Sequence, residues 1–305
     1  MSTPPPRFNA AATLWAITLV IGLGLVTNGV IPSVGMLVIV PQVVFALLHG
    51  ARRYGWRAIW VFVAAGLLIS NFLENLAIKV GFPFGNYHYT GGGKLLQVPW
   101  FIGPAYLATG YLAWIVATVL LGDVRRNSPW LTTIGTPVVA AFAMTAWDLS
   151  LDPRSATIKQ TWIWEHGGGY FGVPMGNFLG WTFTVWLFMQ VFALYLRSRG
   201  PLPIADPRET TTSDLQAVLL YLLTTVSFFT RLFTGEHTTV TDASGTTWQT
   251  ADIYETSALV TVYGMCFFAL LALLRIAQRH TATPAPAPPV ETPEPTDRES
   301  LHPAA

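Results

Sequence analysis

Three acidic residues lie within apolar stretches of this 305-residue chain, where an ionisable side chain is costly and usually functional. Glu74 lies in NFLENLAIK, and Asp148 and Asp152 lie in AWDLSLDP. The two aspartates are four residues apart, so a helix presents both on one face. In general, a carboxyl group in a poorly hydrated pocket holds its proton more tightly, and a neighbouring carboxylate strengthens this effect. Such a group can act as a general acid near neutral pH.

Loops rich in glycine and aromatic residues follow both acidic stretches. GFPFGNYHYTGGG covers residues 81–93, and TWIWEHGGGYFGVPMGNFLGW covers residues 161–181. Because aromatic faces stabilise a nearby cation, acids and aromatics together suit the protonation of an isolated alkene to a tertiary carbocation. Water converts such a cation to a tertiary alcohol, whereas folding back of the substrate chain gives a ring.

The acids and aromatic residues can be given roles in this chemistry. We expect Asp148 or Glu74 to donate the proton, and Asp152 to pair with the donor or to orient water. The side chains expected to flank the cation are Tyr87, Trp147 and Trp164.

Each of these residues also has a structural alternative. Glu74 could pair with an asparagine or with Lys79 and hold helices together, and the aspartates could cap loops or pair with Arg154 and Lys159. An interfacial aromatic belt is the default explanation of Trp100, Trp130, Trp162, Trp164 and Trp181. His88 and His166 could join the acids as metal ligands, but their spacing matches no His-x-x-x-His or Glu-x-x-His pair. Nucleotide and dinucleotide motifs are absent from the sequence.

The composition predicts an all-α polytopic membrane bundle. Hydrophobic residues make up 52% of the chain and charged residues 11%, against about 25% charged in an average globular domain. A net charge of +1 argues against a nucleic-acid partner, and the single Cys266 cannot form a disulfide within the chain. Eight blocks approach the roughly 20 apolar residues that a spanning helix needs: 12–31, 33–50, 57–80, 98–121, 130–151, 174–196, 214–234 and 253–277.

Charge and composition also predict topology and domains. With a cytoplasmic N-terminus, twelve Lys and Arg lie inside and five outside, so both termini are expected in the cytoplasm and the acids near the outer face. Residues 1–280 form the predicted membrane domain. Residues 281–305, with seven prolines, form a predicted disordered tail. In the membrane domain, Pro153 is expected to end the fifth helix, and Ser213 or Asp214 to cap the seventh.

Two seven-residue segments suggest an internal repeat. GFPFGNY at 81–87 and GVPMGNF at 172–178 share four identities, and each follows a helix with acids near its end. Glycine and proline at fixed offsets specify a tight backbone path.

The combined motifs resemble a known family. They run from Glu74 and the 81–89 segment through AWDLSLDP to the 162–181 segment. Together they resemble the carotenoid-biosynthesis membrane proteins. This family includes CruF-type carotenoid 1′,2′-hydratases and bisanhydrobacterioruberin hydratases. The resemblance implies cofactor-independent addition of water to the ψ end of an acyclic or monocyclic carotene, in a bacterial or archaeal cell membrane. The positions that match the family's acidic, polar and aromatic ones are Glu74, Asp148, Asp152, Tyr87, Tyr89, Trp164, Asn177 and Trp181.

Two further functions remain open at this point. A carotenoid cyclase, or a subunit of one, would use the same protonation without water. A carotenoid carrier, or a scaffold for other enzymes of the pathway, would bind the carotene in the bilayer without changing it.

Overall fold

A computed structural model describes residues 10–30, 35–199 and 207–281. A helix is present at each of the eight predicted blocks. The helices are α1 (Ala10–Val30), α2 (Gly35–Tyr54), α3 (Trp56–Val80), α4 (Ile102–Leu121), α5 (Trp130–Pro153), α6 (Met175–Ser198), α7 (Pro207–Leu223), α8 (Val226–Thr234), α9 (Thr250–Thr261) and α10 (Phe267–Thr281). The predicted disordered tail lies outside the described residues, except for Thr281.

Six segments of the described chain are long and apolar enough to cross a membrane. They are Trp56–Val80, Ile102–Leu121, Trp130–Ile158, Met175–Ser198, Thr210–Thr234 and Thr250–Arg279. The all-α membrane bundle is therefore confirmed, whereas the predicted count of eight spans is not, because α1 and α2 are not among the six. In α1 a shorter apolar stretch, Ala11–Leu25, is present, and α2 contains Pro41 and ends with Arg52 and Arg53.

The bundle is built around α4, whose side chains are almost all buried from Tyr106 to Val119. Helices α5 and α6 pack along each other, and α3 and α4 pack against this pair. Large aromatic residues fill the centre, including the fully buried Trp114, Tyr106 and Tyr111. Because α4 lies in the middle, its two ends mark the two ends of the bundle. We call them the acid end, which carries Glu74, Asp148 and Asp152, and the arginine end, which carries Arg53.

One of the two predicted helix boundaries is correct. Pro153 is the last residue of α5, as expected, and the chain continues beyond it in a wide π turn, Arg154–Ile158, in which the Lys159 amide donates to the Arg154 carbonyl. Ser213 and Asp214 do not cap the seventh helix, since α7 begins at Pro207 and both lie inside it. Their side chains bind other helices instead.

At the arginine end a buried network of ion pairs joins four segments of the chain. Arg53 at the end of α2 donates to Asp214 at 2.6 Å and to Asp123 at 2.9 Å, and Arg279 of α10 donates to the other oxygen of Asp214 at 2.9 Å. Arg53 and Asp214 are 3% and 1% exposed, so removing either one would leave the other buried charge with one partner fewer.

At the acid end a two-stranded ribbon covers the bundle. Strands β1 (Tyr87–Tyr89) and β4 (Trp162–Trp164) pair antiparallel, with Tyr87 opposite Trp164 and Tyr89 opposite Trp162. Side chains alternate between the two faces of a strand, so these four aromatic residues point to one face and His88 to the other. Tyr87, Tyr89 and Trp164 are buried and Trp162 is partly buried, whereas His88 is exposed. The alternation in YHY and WIW thus turns an aromatic face towards the helices. Short strands β2 (Lys94–Leu95), β3 (Val98–Pro99), β5 (Thr239–Thr241) and β6 (Thr247–Gln249) form two further hairpins.

The two matching seven-residue segments adopt different conformations but pack against each other. The first leaves α3 at Gly81, whose φ of 79° favours glycine, and leads into β1. The second leads into α6, which begins at Met175. At Gly180 of α6 a Cβ atom would lie 2.7 Å from the Pro83 carbonyl oxygen, so glycine allows the first loop to approach α6 closely.

Candidate functional site

Glu74 is bound by three tyrosine hydroxyl groups. Tyr87 and Tyr89 of β1 both donate to Oε2, the latter at 3.0 Å, and Tyr106 of α4 donates to Oε1 at 2.9 Å. All four side chains are buried. Burial, and then the Glu74 carboxylate, raise the pKa of Tyr87 and of Tyr89 well above the usual value, so these phenols keep their protons and act as donors. We call these four residues the tyrosine cluster.

Asp148 and Asp152 are held on one face of α5 by a shared amide. Asn177 Nδ2, near the start of α6, donates to Asp152 Oδ2 at 2.6 Å and to Asp148 Oδ2 at 3.1 Å. Trp162 Nε1 donates to Asp152 Oδ1 at 2.6 Å. Both aspartates are 1% exposed. Within the described chain no group donates to Asp148 Oδ1, so this oxygen is available to a ligand.

Aromatic rings connect the aspartates with the tyrosine cluster. Trp181 stacks on Tyr106 with ring centroids 4.4 Å apart and an interplanar angle of 7°, and it also contacts Trp147 at 6.3 Å and 61°. Trp164 lies on Tyr87 with centroids 4.9 Å apart. The three predicted acids and their aromatic neighbours therefore form one continuous site at the acid end.

A cavity of about 410 Å³ opens beside Asp148. Its size is that of a typical small-molecule site, which measures about 300–1,000 Å³. Trp147, Trp162 and Trp181 line it near Asp148, and Arg154 and Lys159 line its polar part. The remaining lining residues are mostly apolar or hydroxyl-bearing: Leu25, Val38, Ile39, Gln42, Phe101, Ile102, Ala105, Thr109, Leu151, Ser155, Thr161, Thr224, Ser227 and Phe228. We call this space the large cavity.

The partners expected under the structural alternatives are not the ones found, although Glu74 does join α3 to β1 and α4 through its tyrosines. Glu74 is bound by tyrosines rather than by Lys79 or an asparagine, and the nearby Asn75 donates to Asn71 instead. Within the described residues, neither aspartate forms an ion pair with Arg154 or Lys159. His88 lies 3.9 Å from Glu165 on the exposed side of the ribbon, and no group of three or more potential metal ligands occurs in the part of the chain that the structure describes.

The structure adds two residues to the predicted site. The sequence does not predict Tyr106, because a tyrosine within an apolar span gives no sign of its partner on another helix. An interfacial belt does not account for Trp162, because its Nε1 donates to Asp152. The interfacial explanation still fits Trp100 and Trp130, which are 55% and 58% exposed.

Comparison with known proteins identifies the family of the chain. No curated protein and no solved structure matches the chain. A family model described as carotenoid biosynthesis protein matches residues 34–248, a range that includes the three acids and both loops of the acid end. This match covers well over half of the chain, which therefore belongs to the carotenoid biosynthesis protein family.

Proposed function

We propose that this membrane protein is a carotenoid hydratase, which adds water to the terminal double bond at the ψ end of an acyclic or monocyclic carotene. The observation that carries the proposal is the position of Asp148. It is a buried carboxyl group with one uncommitted oxygen, on the wall of a largely apolar cavity that three tryptophans line. The cavity lies between helices of the membrane bundle, and we propose that the polyene enters it from the bilayer.

The first chemical step is a proton transfer from Asp148. The π electrons of the terminal alkene form the new C–H bond, and the positive charge develops on the carbon that carries two methyl groups. Trp147 and Trp181 border the same cavity and present aromatic surface to that charge, which attracts a cation. Asp148 is left as a carboxylate, which also stabilises the cation.

The second step is capture of the cation by water. The water oxygen forms the C–O bond and releases a proton, so the net reaction adds one water to the alkene and consumes no other reagent. We propose that Glu74 contributes a fixed charge through the tyrosine cluster rather than donating the proton, because Glu74 does not line the large cavity. The polar part of the cavity, near Arg154 and Lys159, favours entry of water and therefore hydration over ring closure.

Product analysis tests the proposal. Purified protein in liposomes receives an acyclic carotene with ψ ends in water enriched in oxygen-18, without metal or nucleotide. Hydration predicts an alcohol that carries the label. An isomer of unchanged mass would identify a cyclase, and recovery of unchanged carotene with purified, folded protein would identify a carrier. Either result would overturn the proposal.

A further inference from the structure

A second, smaller cavity lies next to the large one at the acid end. Its volume is about 30 Å³, and a buried water needs about 10–15 Å³ measured in this way, so it can hold one or two waters. It is lined by Glu74, Phe84, Tyr87, Tyr89, Ile102, Asp152, Trp162, Trp164, Asn177 and Trp181. We call it the small cavity.

The small cavity has the polar groups that a bound water requires. Buried waters typically make about three hydrogen bonds to polar groups of the protein. The carboxylates of Asp152 and Glu74 and the hydroxyl oxygen of Tyr89 can accept such bonds. Trp164 lines the small cavity and also a neighbouring one that Thr157 and Asp242 border. Its Nε1 is buried without a hydrogen-bond partner within the described chain, and we assign this donor to the water. Trp164 is 5% exposed, so this unpaired donor is a cost that a bound water would remove.

The two cavities share a wall and divide the two aspartates between them. Ile102, Trp162 and Trp181 line both cavities, whereas Asp148 lines only the large one and Asp152 only the small one. Asn177 donates to both carboxylates from a single nitrogen. A proton donor and a proton acceptor therefore lie close together on two adjoining cavities, so that a water in the small cavity is next to the space where the cation forms.

We propose that the small cavity binds the water that captures the cation, with Asp152 as its base and with Trp164 and Tyr89 as positioning residues. This inference rests on the proposed hydration. The water oxygen donates an electron pair to the cation, the C–O bond forms, and the released proton passes to the Asp152 carboxylate. One proton then moves from Asp152 to Asp148, which restores both groups, so the cycle adds one water to the alkene.

The arrangement separates protonation from capture, and this separation can be measured. A cation that is not captured loses a proton and returns to an alkene. In heavy water this return leaves deuterium in the recovered carotene, whereas capture leaves oxygen-18 in the alcohol. The ratio of the two labels reports how the cation divides between the two fates.

The test uses purified protein in liposomes, unlabelled acyclic carotene, and heavy water enriched in oxygen-18. Trp164→Phe and Tyr89→Phe change the small cavity, and neither residue lines the large one. Trp60→Phe and Tyr263→Phe are the matched controls, since these side chains are 55% and 75% exposed on the outside of the bundle. Folding is checked by the amount of monodisperse protein recovered. Because two variants change the small cavity independently, the test can still be made if one of them does not fold.

We expect each small-cavity variant to raise the ratio of deuterated carotene to labelled alcohol by about tenfold, the effect of one lost hydrogen bond to the water. In Trp164→Phe total deuterium incorporation should stay at the wild-type level, and in the two controls both labels should do so. An unchanged ratio would overturn the inference, and so would an equal fall in both labels, because that pattern indicates only a structural role. If the wild-type protein makes no labelled alcohol, the proposed function fails before any variant is compared.

Discussion

Replacing Glu74 by glutamine should destabilise the protein, because the tyrosine cluster is built around a carboxylate. Both oxygens of Glu74 accept bonds, one from Tyr106 and two from the β1 tyrosines. An amide offers only one oxygen, and its NH₂ group faces hydroxyls that donate in the wild type. Hydrogen bonds to a charged group contribute about 1.5–3 kcal/mol each, so losing one or two of them costs about 1.5–6 kcal/mol.

Thermal unfolding in detergent measures this cost. A loss of that size lowers Tm by on the order of 10 °C in a domain of this length. Glu255→Gln is the matched control, since Glu255 is exposed on α9. Tyr106→Phe removes one donor from the same carboxylate while its stacking on Trp181 remains, so it should cost less than Glu74→Gln.

A double variant distinguishes this explanation from general damage to the core. If Tyr106 acts through Glu74, the combined Glu74→Gln and Tyr106→Phe protein should be more stable than the sum of the two separate losses predicts. Wild-type Tm for Glu74→Gln would refute the reasoning. Strict additivity of the two changes would refute it as well.

Three other predictions follow from the rest of the molecule. Arg53→Met should lower the stability by about 3–5 kcal/mol, because it leaves buried Asp214 with one partner fewer. The loss should appear as a lower Tm with an unchanged product, and an unchanged Tm would contradict the role of the network. Burial, and then the charges of Arg154 and Arg231, lower the pKa of Lys159 to about 8, so an amine reagent at pH 8 should label this side chain. If the large cavity binds substrate, added carotene should reduce the labelling, which mass spectrometry of peptides measures. Reporters fused at the C-terminus and within 82–95 should lie on opposite sides of the membrane, as the charge bias predicts. A chain that ends after Arg279 should keep its turnover.

The parts of the fold that depend on local sequence could be predicted. Apolar blocks of spanning length gave the helices, and the clustering of Glu74, Asp148 and Asp152 near helix ends indicated the site. These features follow from composition and periodicity over short stretches of chain. The β1–β4 ribbon is not among these predictions, because the segments that contain both strands are predicted as loops, although the alternation in YHY and WIW is a local signal.

Contacts between distant helices could not be predicted in the same way. Tyr106 reaches Glu74 across 32 positions, and Arg53 reaches Asp214 across 161. Neither pair shares a spacing or a motif, and Arg53 reads simply as one of several basic residues beside a span. The π turn after Pro153 escaped prediction for a different reason, because the usual effect of proline is to end a helix.

Asp242 is unsuitable as a control residue for the aspartates of the site, although its sequence position suggests an ordinary surface carboxylate. In the sequence it lies in a polar loop, but its carboxylate accepts bonds from Ser244, Thr246 and Trp248 and anchors the β5–β6 hairpin. A Cβ atom at Gly172 would lie 2.9 Å from it, so this hairpin also packs on the loop before α6. Asp252, which is exposed on α9, is a better control for the aspartates of the site.

Turnover of Asp148→Asn in water enriched in oxygen-18 tests the central claim most directly. The asparagine keeps the shape of the side chain and can still accept the bond from Asn177, but it has no acidic proton to give. General acid catalysis contributes about 10²–10⁴-fold, so the rate of formation of labelled alcohol should fall by that factor, while Asp252→Asn keeps the wild-type rate. A wild-type rate for folded Asp148→Asn would contradict the account.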